Sequence, residues 1–288
     1  MTSIPTPHPK RPRRATLASP RPELAAAPDA EQVLAYQVSA AGRARDVATV
    51  LGWVREPAQP PRARFFVCAN PHSLQVARRD AAFDAAIHDA DLVVPDGVGL
   101  VLASRLLGDQ RIRQRVTGSA LFHGVSRHLD AAGGRYFFLG STEATLAAVR
   151  QRMAAVYPGI EVVGTLSPPF APQFDVTTSA AMVEAVNRAR PDVLWVGMTA
   201  PKQEKWIHAH RDELEVPVLA PIGAVFDYFT GRVQRPGPMF RRLGLEWLPR
   251  LMREPRRLWR RNAVSSPAFA LRVVGQRLRR AGGRALPS

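Results

Sequence analysis

Asp96 stands between Pro95 and Gly97, directly after the apolar run Leu92-Val93-Val94. A carboxylate held in a sharp turn at that point can take a proton from an incoming hydroxyl as a general base. The same residue could instead cap a helix over 99–107, since Asp is favoured at helix N-termini, and spacing alone leaves both readings open. Gly140-Ser141-Thr142 also follows an apolar run. Its backbone N–H groups and hydroxyls could receive a phosphate or a ribose, although a plain helix cap explains them equally well. It is not a GxGxxG fingerprint, and the chain has no Walker lysine motif. Cys68 ends an apolar run, which suits a packed or pocket-lining thiol better than a nucleophile. Arg115 lies in a basic stretch with Arg111 and Arg113, where a guanidinium could neutralise a diphosphate or simply be a solvated charge. Asp89-Ala90-Asp91 has the spacing of a divalent-cation ligand pair, but it closes a predicted helix and opens a predicted strand, away from the expected site. His208 and His210, two apart on a predicted helix, face different directions and make no zinc pair.

These residues need a frame that gathers turns. From about 31 to 231, short β-rich apolar runs alternate with helical patterns, the signature of a parallel sheet with crossover helices. The runs predict strands at Arg64 to Cys68, Asp91 to Val94, Arg135 to Leu139, Ile160 to Thr165, Asp192 to Gly197 and Val216 to Pro221. Helices are predicted over 73–87, 99–107, 119–132, 142–156, 178–189 and 202–212. Phe65-Phe66-Val67 and Leu194-Trp195-Val196 do not alternate in polarity, as expected of strands covered on both faces. Ligands in such sheets bind at the carboxyl ends of the strands. The loaded turns are therefore those at Cys68 to Pro71, Pro95 to Gly99, Leu139 to Thr142 and Gly197 to Glu204.

The chain has 288 residues and a formal charge of +16, distributed unevenly. Residues 1–22 hold five basic residues and no acid, and residues 232–288 hold 15 Arg against Glu246 and Glu254, so the stretch between them is nearly neutral. Residues 1–30, rich in proline, read as a disordered basic arm, 31–231 as the core, and 232–288 as an Arg-rich appendage. In the appendage, Leu243, Trp247, Leu248, Leu251 and Met252 share half a helical wheel interrupted by Pro249, and Phe269, Val273, Val274 and Leu278 repeat the pattern. Basic amphipathic helices of this kind bind anionic membrane surfaces, and five or six engaged arginines would contribute about 5 kcal/mol. The apolar stripe could also serve a second subunit, giving a homo-oligomer. Nucleic acid would attract the same charge, but no reader motif accompanies it. A dinucleotide-dependent oxidoreductase lacks its glycine fingerprint. The single cysteine excludes an internal disulfide framework. No run suits a secretory signal or a membrane span, so the expected location is cytoplasmic.

Taken in order, several blocks carry a closer likeness: Ala69-Asn70-Pro71, ADLVVPDGVG (90–99), RVTGS (115–119), GMTAPKQEKWI (197–207), GAVFDYFTGRVQRPG (223–237) and LGLEWLPRLMREPRRLWRR (243–261). Over Tyr36 to Arg261 the chain resembles the WecG/TagA/CpsF family of bacterial glycosyltransferases. The resemblance implies a Rossmann-like, inverting transferase that uses a UDP-sugar donor and an undecaprenyl-diphosphate-linked acceptor, without a catalytic metal or other cofactor. It implies work at the inner face of the plasma membrane, in synthesis of a wall polymer, capsule or exopolysaccharide. Asp96 matches the family's proposed general base. Asn70, Arg115 and Gln203 match pocket positions, and the turn glycines Gly140 and Gly197 border the same implied donor and acceptor site. Cys68 stands where a threonine is common, which replaces a hydroxyl by a weakly donating thiol. Arg250, Arg257 and Arg260 match arginines of an appendage thought to fold over the site at the membrane.

Overall fold

The structure, a computed structural model, describes residues 29–56, 62–233, 237 and 264–282. A two-stranded antiparallel hairpin, β1 (Ala30–Val33) and β2 (Tyr36–Ser39), opens it, followed by helix α1 (Arg43–Arg55). The sheet strands are β3 (Arg64–Ala69), β4 (Leu92–Pro95), β5 (Arg135–Gly140), β6 (Glu161–Leu166), β7 (Val193–Gly197) and β8 (Val218–Pro221). All pair in parallel, in the order β4-β3-β8-β7-β5-β6. The α/β architecture read from the sequence is the one observed, and each of the six predicted strands is present to within two residues at either end. The hairpin and α1 carry no comparably strong apolar run, and the sequence does not single them out.

Side-chain alternation along the strands divides the core in two. Phe65, Val67, Phe137, Leu139, Leu194, Val196 and Leu219 point to one face, and Phe66, Tyr136, Phe138, Val193, Trp195 and Ala220 to the other. The first face is covered by α2 (Pro71–Ala77), α3 (Ala81–His88), α4 (Val98–Leu107), α7 (Val176–Ala189) and α8 (Lys202–His210). The second is covered by α1, α5 (Gly118–Ala132), α6 (Glu143–Val156) and α9 (Val225–Phe229). On that face Phe122 packs edge-on against Trp195 and Phe229, each at 5.0 Å between centroids, a favoured geometry for aromatic pairs.

The predicted helix 73–87 is two helices, and local chemistry explains the break. Asp80 follows the end of α2 and its carboxylate accepts the Phe83 N–H at 3.1 Å, which starts α3 as an N-cap. Thr117, Thr142 and Asp175 cap α5, α6 and α7 in the same way.

Helix α10 (Ser266–Gly282) packs on α2 and α4. Phe269 and Val273 are buried in the first core, whereas Leu278 is 66% exposed and Val274 lies at the surface. The expected single apolar face is therefore split, because the helix spends part of it on the protein. Its arginines are partly engaged too: Arg277 donates to the Leu107 carbonyl at 2.9 Å and Arg280 pairs with Asp109. The stripe at 243–252 lies outside the described residues. Among the described residues no helix is long and apolar enough to cross a membrane.

Candidate active site

The strand β8 leads to α9 on one face of the sheet, while its neighbours β3 and β7 lead to α2 and α8 on the other. Chains that part in this way leave a crevice at the carboxyl ends of the strands. The turns singled out in the sequence meet around it.

Asp96 sits immediately past β4. Its N–H donates to the Ala69 carbonyl at 2.7 Å, which prolongs the β3–β4 ladder and locks the turn beside Asn70. The N-cap of α4 is Gly97, at φ +110°, a conformation L side chains rarely adopt. Asp96 therefore stands one residue ahead of the N-cap position. Its side chain is half-buried. Asn70 shapes the neighbouring turn. Its Oδ1 accepts the His72 and Ser73 N–H groups, both at 3.1 Å, and Ser73 Oγ accepts the Asn70 N–H at 2.8 Å. This capping box fixes the start of α2.

Arg115, also half-buried, enters the same region through its neighbour, since the Val116 N–H donates to the Pro95 carbonyl at 2.8 Å. Two residues on, α5 begins at Gly118, where a β-carbon would lie 3.3 Å from Cys68 Sγ and 3.4 Å from Ile222 Cγ2. The ends of β3, β4 and β8 and the start of α5 thus form one wall. Burial pushes the Cys68 thiol well up, and the carboxylates of Asp96, Glu204 and Asp46 push it further. The thiol is held neutral, which removes it as a nucleophile and agrees with a lining role.

Gly140 and Gly197 are register partners at the ends of β5 and β7. Gly140 has φ +106°, and a β-carbon on it would meet the Gly197 carbonyl oxygen at 2.8 Å. Backbone packing thus calls for glycine at 140, whereas at 197 a β-carbon would lie 2.3 Å from the Phe226 ring. Gln203 is 4% exposed and its amide is spent internally: Oε1 accepts from Met198 N–H at 3.2 Å and Gly223 N–H at 3.1 Å. Nε2 donates to Glu204 Oε1 at 2.8 Å. Burial pushes the Glu204 carboxyl up to about 7. Burial likewise raises Asp46 to about 6, with a Ser39 hydroxyl bond at 2.6 Å offsetting part of the effect. Sequence reading missed both acids. Glu204 lies in the charged run Lys202-Gln203-Glu204-Lys205, which looks like a solvated helix start, and nothing local signals its burial.

Asp89 and Asp91 are engaged at the opposite end of the sheet. Asp89 pairs with His208 at 2.8 Å, and Asp91 pairs with buried Arg211 and accepts the Phe65 N–H at 2.9 Å. No group of three or more His, Cys, Asp or Glu among the described residues is arranged to hold a metal ion. A cleft of about 520 Å³ lined by Pro172, Gln173, Pro201, Lys202 and Lys205 lies beside the cis Ala200-Pro201 bond. Lys202 Nζ sits 3.6 Å over the Phe174 ring there. Arg250, Arg257 and Arg260 lie outside the described residues.

Residues 32–283 match the model of the "Glycosyl transferase WecG/TagA/CpsF family". The chain belongs to this family. Among its relatives, a Bacillus spizizenii protein is 32% identical over 213 residues, covering 74% of this chain and 79% of the relative. A Bacillus subtilis protein is 30% identical, covering 71% and 77%, and a Staphylococcus aureus protein is 28% identical, covering 73% and 79%. All three are named N-acetylglucosaminyldiphosphoundecaprenol N-acetyl-β-D-mannosaminyltransferase. Family membership makes the protein a glycosyltransferase, and the turns around Asp96 are its candidate active site.

Proposed function

We propose that the protein is an inverting transferase that moves a sugar from a UDP-sugar to a polyprenyl-diphosphate-linked sugar during wall-polymer or surface-polysaccharide synthesis. The relatives' names supply the specific form of the reading: N-acetylmannosamine as the sugar moved and undecaprenyl-diphosphate N-acetylglucosamine as the acceptor. The observation that carries it is the placement of Asp96 at the carboxyl end of β4, ahead of the cap position of α4 and against the Asn70 and Arg115 turns.

In this reading the Asp96 carboxylate takes the proton of the acceptor hydroxyl as that oxygen bonds to the anomeric carbon. The bond from that carbon to the UDP oxygen breaks, and negative charge develops on the diphosphate. Preorganised cations stabilise such charge most where water is excluded. Arg115 supplies one from the core, and Arg250, Arg257 and Arg260 supply others from the appendage. The appendage docks on the anionic inner face of the membrane, so that the site is completed where the lipid acceptor resides.

The test measures UDP release by the full-length protein with a panel of UDP-sugars, a short-chain lipid-diphosphate-sugar acceptor and anionic vesicles. Acceptor-dependent release from one donor, lost in Asp96→Asn, is the expected result. A folded protein that releases UDP from no donor would falsify the reading, and salt-sensitive nucleic-acid binding would then be measured.

A further inference from the structure

The turns after β7 and β8 form neighbouring parts of the crevice, and one side chain ties them. Gln203 Oε1 accepts from Met198 N–H in the first turn and from Gly223 N–H in the second, the latter shared with the Val196 carbonyl at 3.3 Å. A primary amide has nearly the same shape either way round, and only its partners decide its orientation. Reversed, the Gln203 amide would set its NH2 against two backbone donors. The two backbone donors thus set the orientation from one side, and Glu204 reinforces it from the other, its Oε1 accepting from Gln203 Nε2 at 2.8 Å.

Glu204 is 4% exposed, and its second oxygen has no hydrogen-bond partner among the described residues. A buried carboxyl so incompletely satisfied destabilises the fold. Its geometry supplies a compensating role. We propose that Glu204 is a positioning residue for sugar transfer, holding the Gln203 amide in the one orientation that braces the β7 and β8 turns together. The proposal rests on the transferase reading of the site.

The braced turns bear on the chemistry from two sides. Met198 follows Gly197, which is packed on Gly140. Gly223 follows Ile222, which lies beside Gly118 next to the Cys68 thiol. A shift of either turn moves the crevice relative to Asp96, and misplacement of about 1 Å can cost on the order of 100-fold in rate.

The experiment compares full-length wild type, Glu204→Gln and Glu204→Leu in kcat/KM for sugar transfer and in NMR hydrogen exchange of the Met198 and Gly223 amides. The leucine variant, lacking an acceptor, is expected to lose about tenfold or more in kcat/KM and to exchange both amides about tenfold faster. The glutamine variant keeps a carbonyl acceptor and is expected to stay within about threefold on both measures. Wild-type exchange and activity in the leucine variant would overturn the proposal, as would equal impairment of both variants. Should the leucine variant fail to fold, Gln203→Glu is combined with Glu204→Gln. That pair restores a donor facing an acceptor and is expected to recover the protection that Gln203→Glu alone loses; absence of recovery overturns the brace. A wild type that transfers no sugar defeats the transferase reading instead, while the exchange comparison still decides the brace.

Discussion

Asp96, Glu204 and Asp46 are three carboxyls near one thiol, and their surroundings assign them different work. Asp96 is only half-buried at the mouth of the crevice, so it can meet a hydroxyl. Replacing it by Asn keeps shape and removes basicity: transfer is expected to fall by about 10²- to 10⁴-fold with an unchanged thermal midpoint, measured by UDP release and calorimetry. Glu204 has its folded pKa raised to about 7. The native state then holds a proton that the unfolded chain gives up near pH 4, so stability is lost as pH rises from about 4 to 7. Glu204→Gln removes that dependence. The melting temperature of this variant relative to wild type is expected to increase between pH 5 and pH 8; a constant difference across that range would refute the assignment.

Single elements carry the site through their ends. The turns at β3, β4, β5 and β7 were legible because the strands before them are continuous apolar runs followed by helical patterns, and at β5 because Ser141-Thr142 also suits a helix cap. Legibility failed where an element is defined by tertiary burial. The break at Asp80 was hidden because an acid inside a helical pattern also suits a solvated face. Here its carboxylate both caps α3 and pairs with Lys205 at 2.9 Å. Asp80→Ala should cost about 1–2 kcal/mol, most of it from the cap, since the half-exposed ion pair is worth little. Urea unfolding monitored by circular dichroism checks this. Likewise, Phe269→Ala should cost about 3 kcal/mol, because the ring is buried against α2 and α4 and leaves a cavity. A change below about 0.5 kcal/mol, the scale of a surface substitution, would mean that α10 does not dock there.

Across the whole molecule, charge separates the basic ends from the nearly neutral core, yet the division at 232 is not a division of the packing. Helix α10 lies within the appendage by sequence and contributes Phe269 and Val273 to the core. Deleting 241–288 therefore removes core contacts together with the arginines, and is expected to lower the melting temperature and raise binding of an apolar dye. The proposed membrane-coupled role of the tail calls for a gentler change. Arg250, Arg257 and Arg260 all replaced by Gln in the full-length chain should abolish most vesicle-stimulated transfer while leaving the melting temperature within about 2 °C of wild type. Unaltered transfer by that variant would remove these arginines from the mechanism.

The sequence by itself determined the six parallel strands, most of their helices, the place of the Asp96 turn and the family. These depend on local periodicity, on caps and on blocks of residues kept in order, all readable along one dimension. Only the tertiary structure decided that Asp96 lies ahead of the cap of α4, that Asn70 and Gln203 are tied into turns, that Glu204 is buried beside Cys68, and that α10 spends part of its apolar face on the core. Each of these depends on what a side chain meets from a distant part of the chain, and burial, pKa and hydrogen-bond partner are properties of that meeting rather than of the residue.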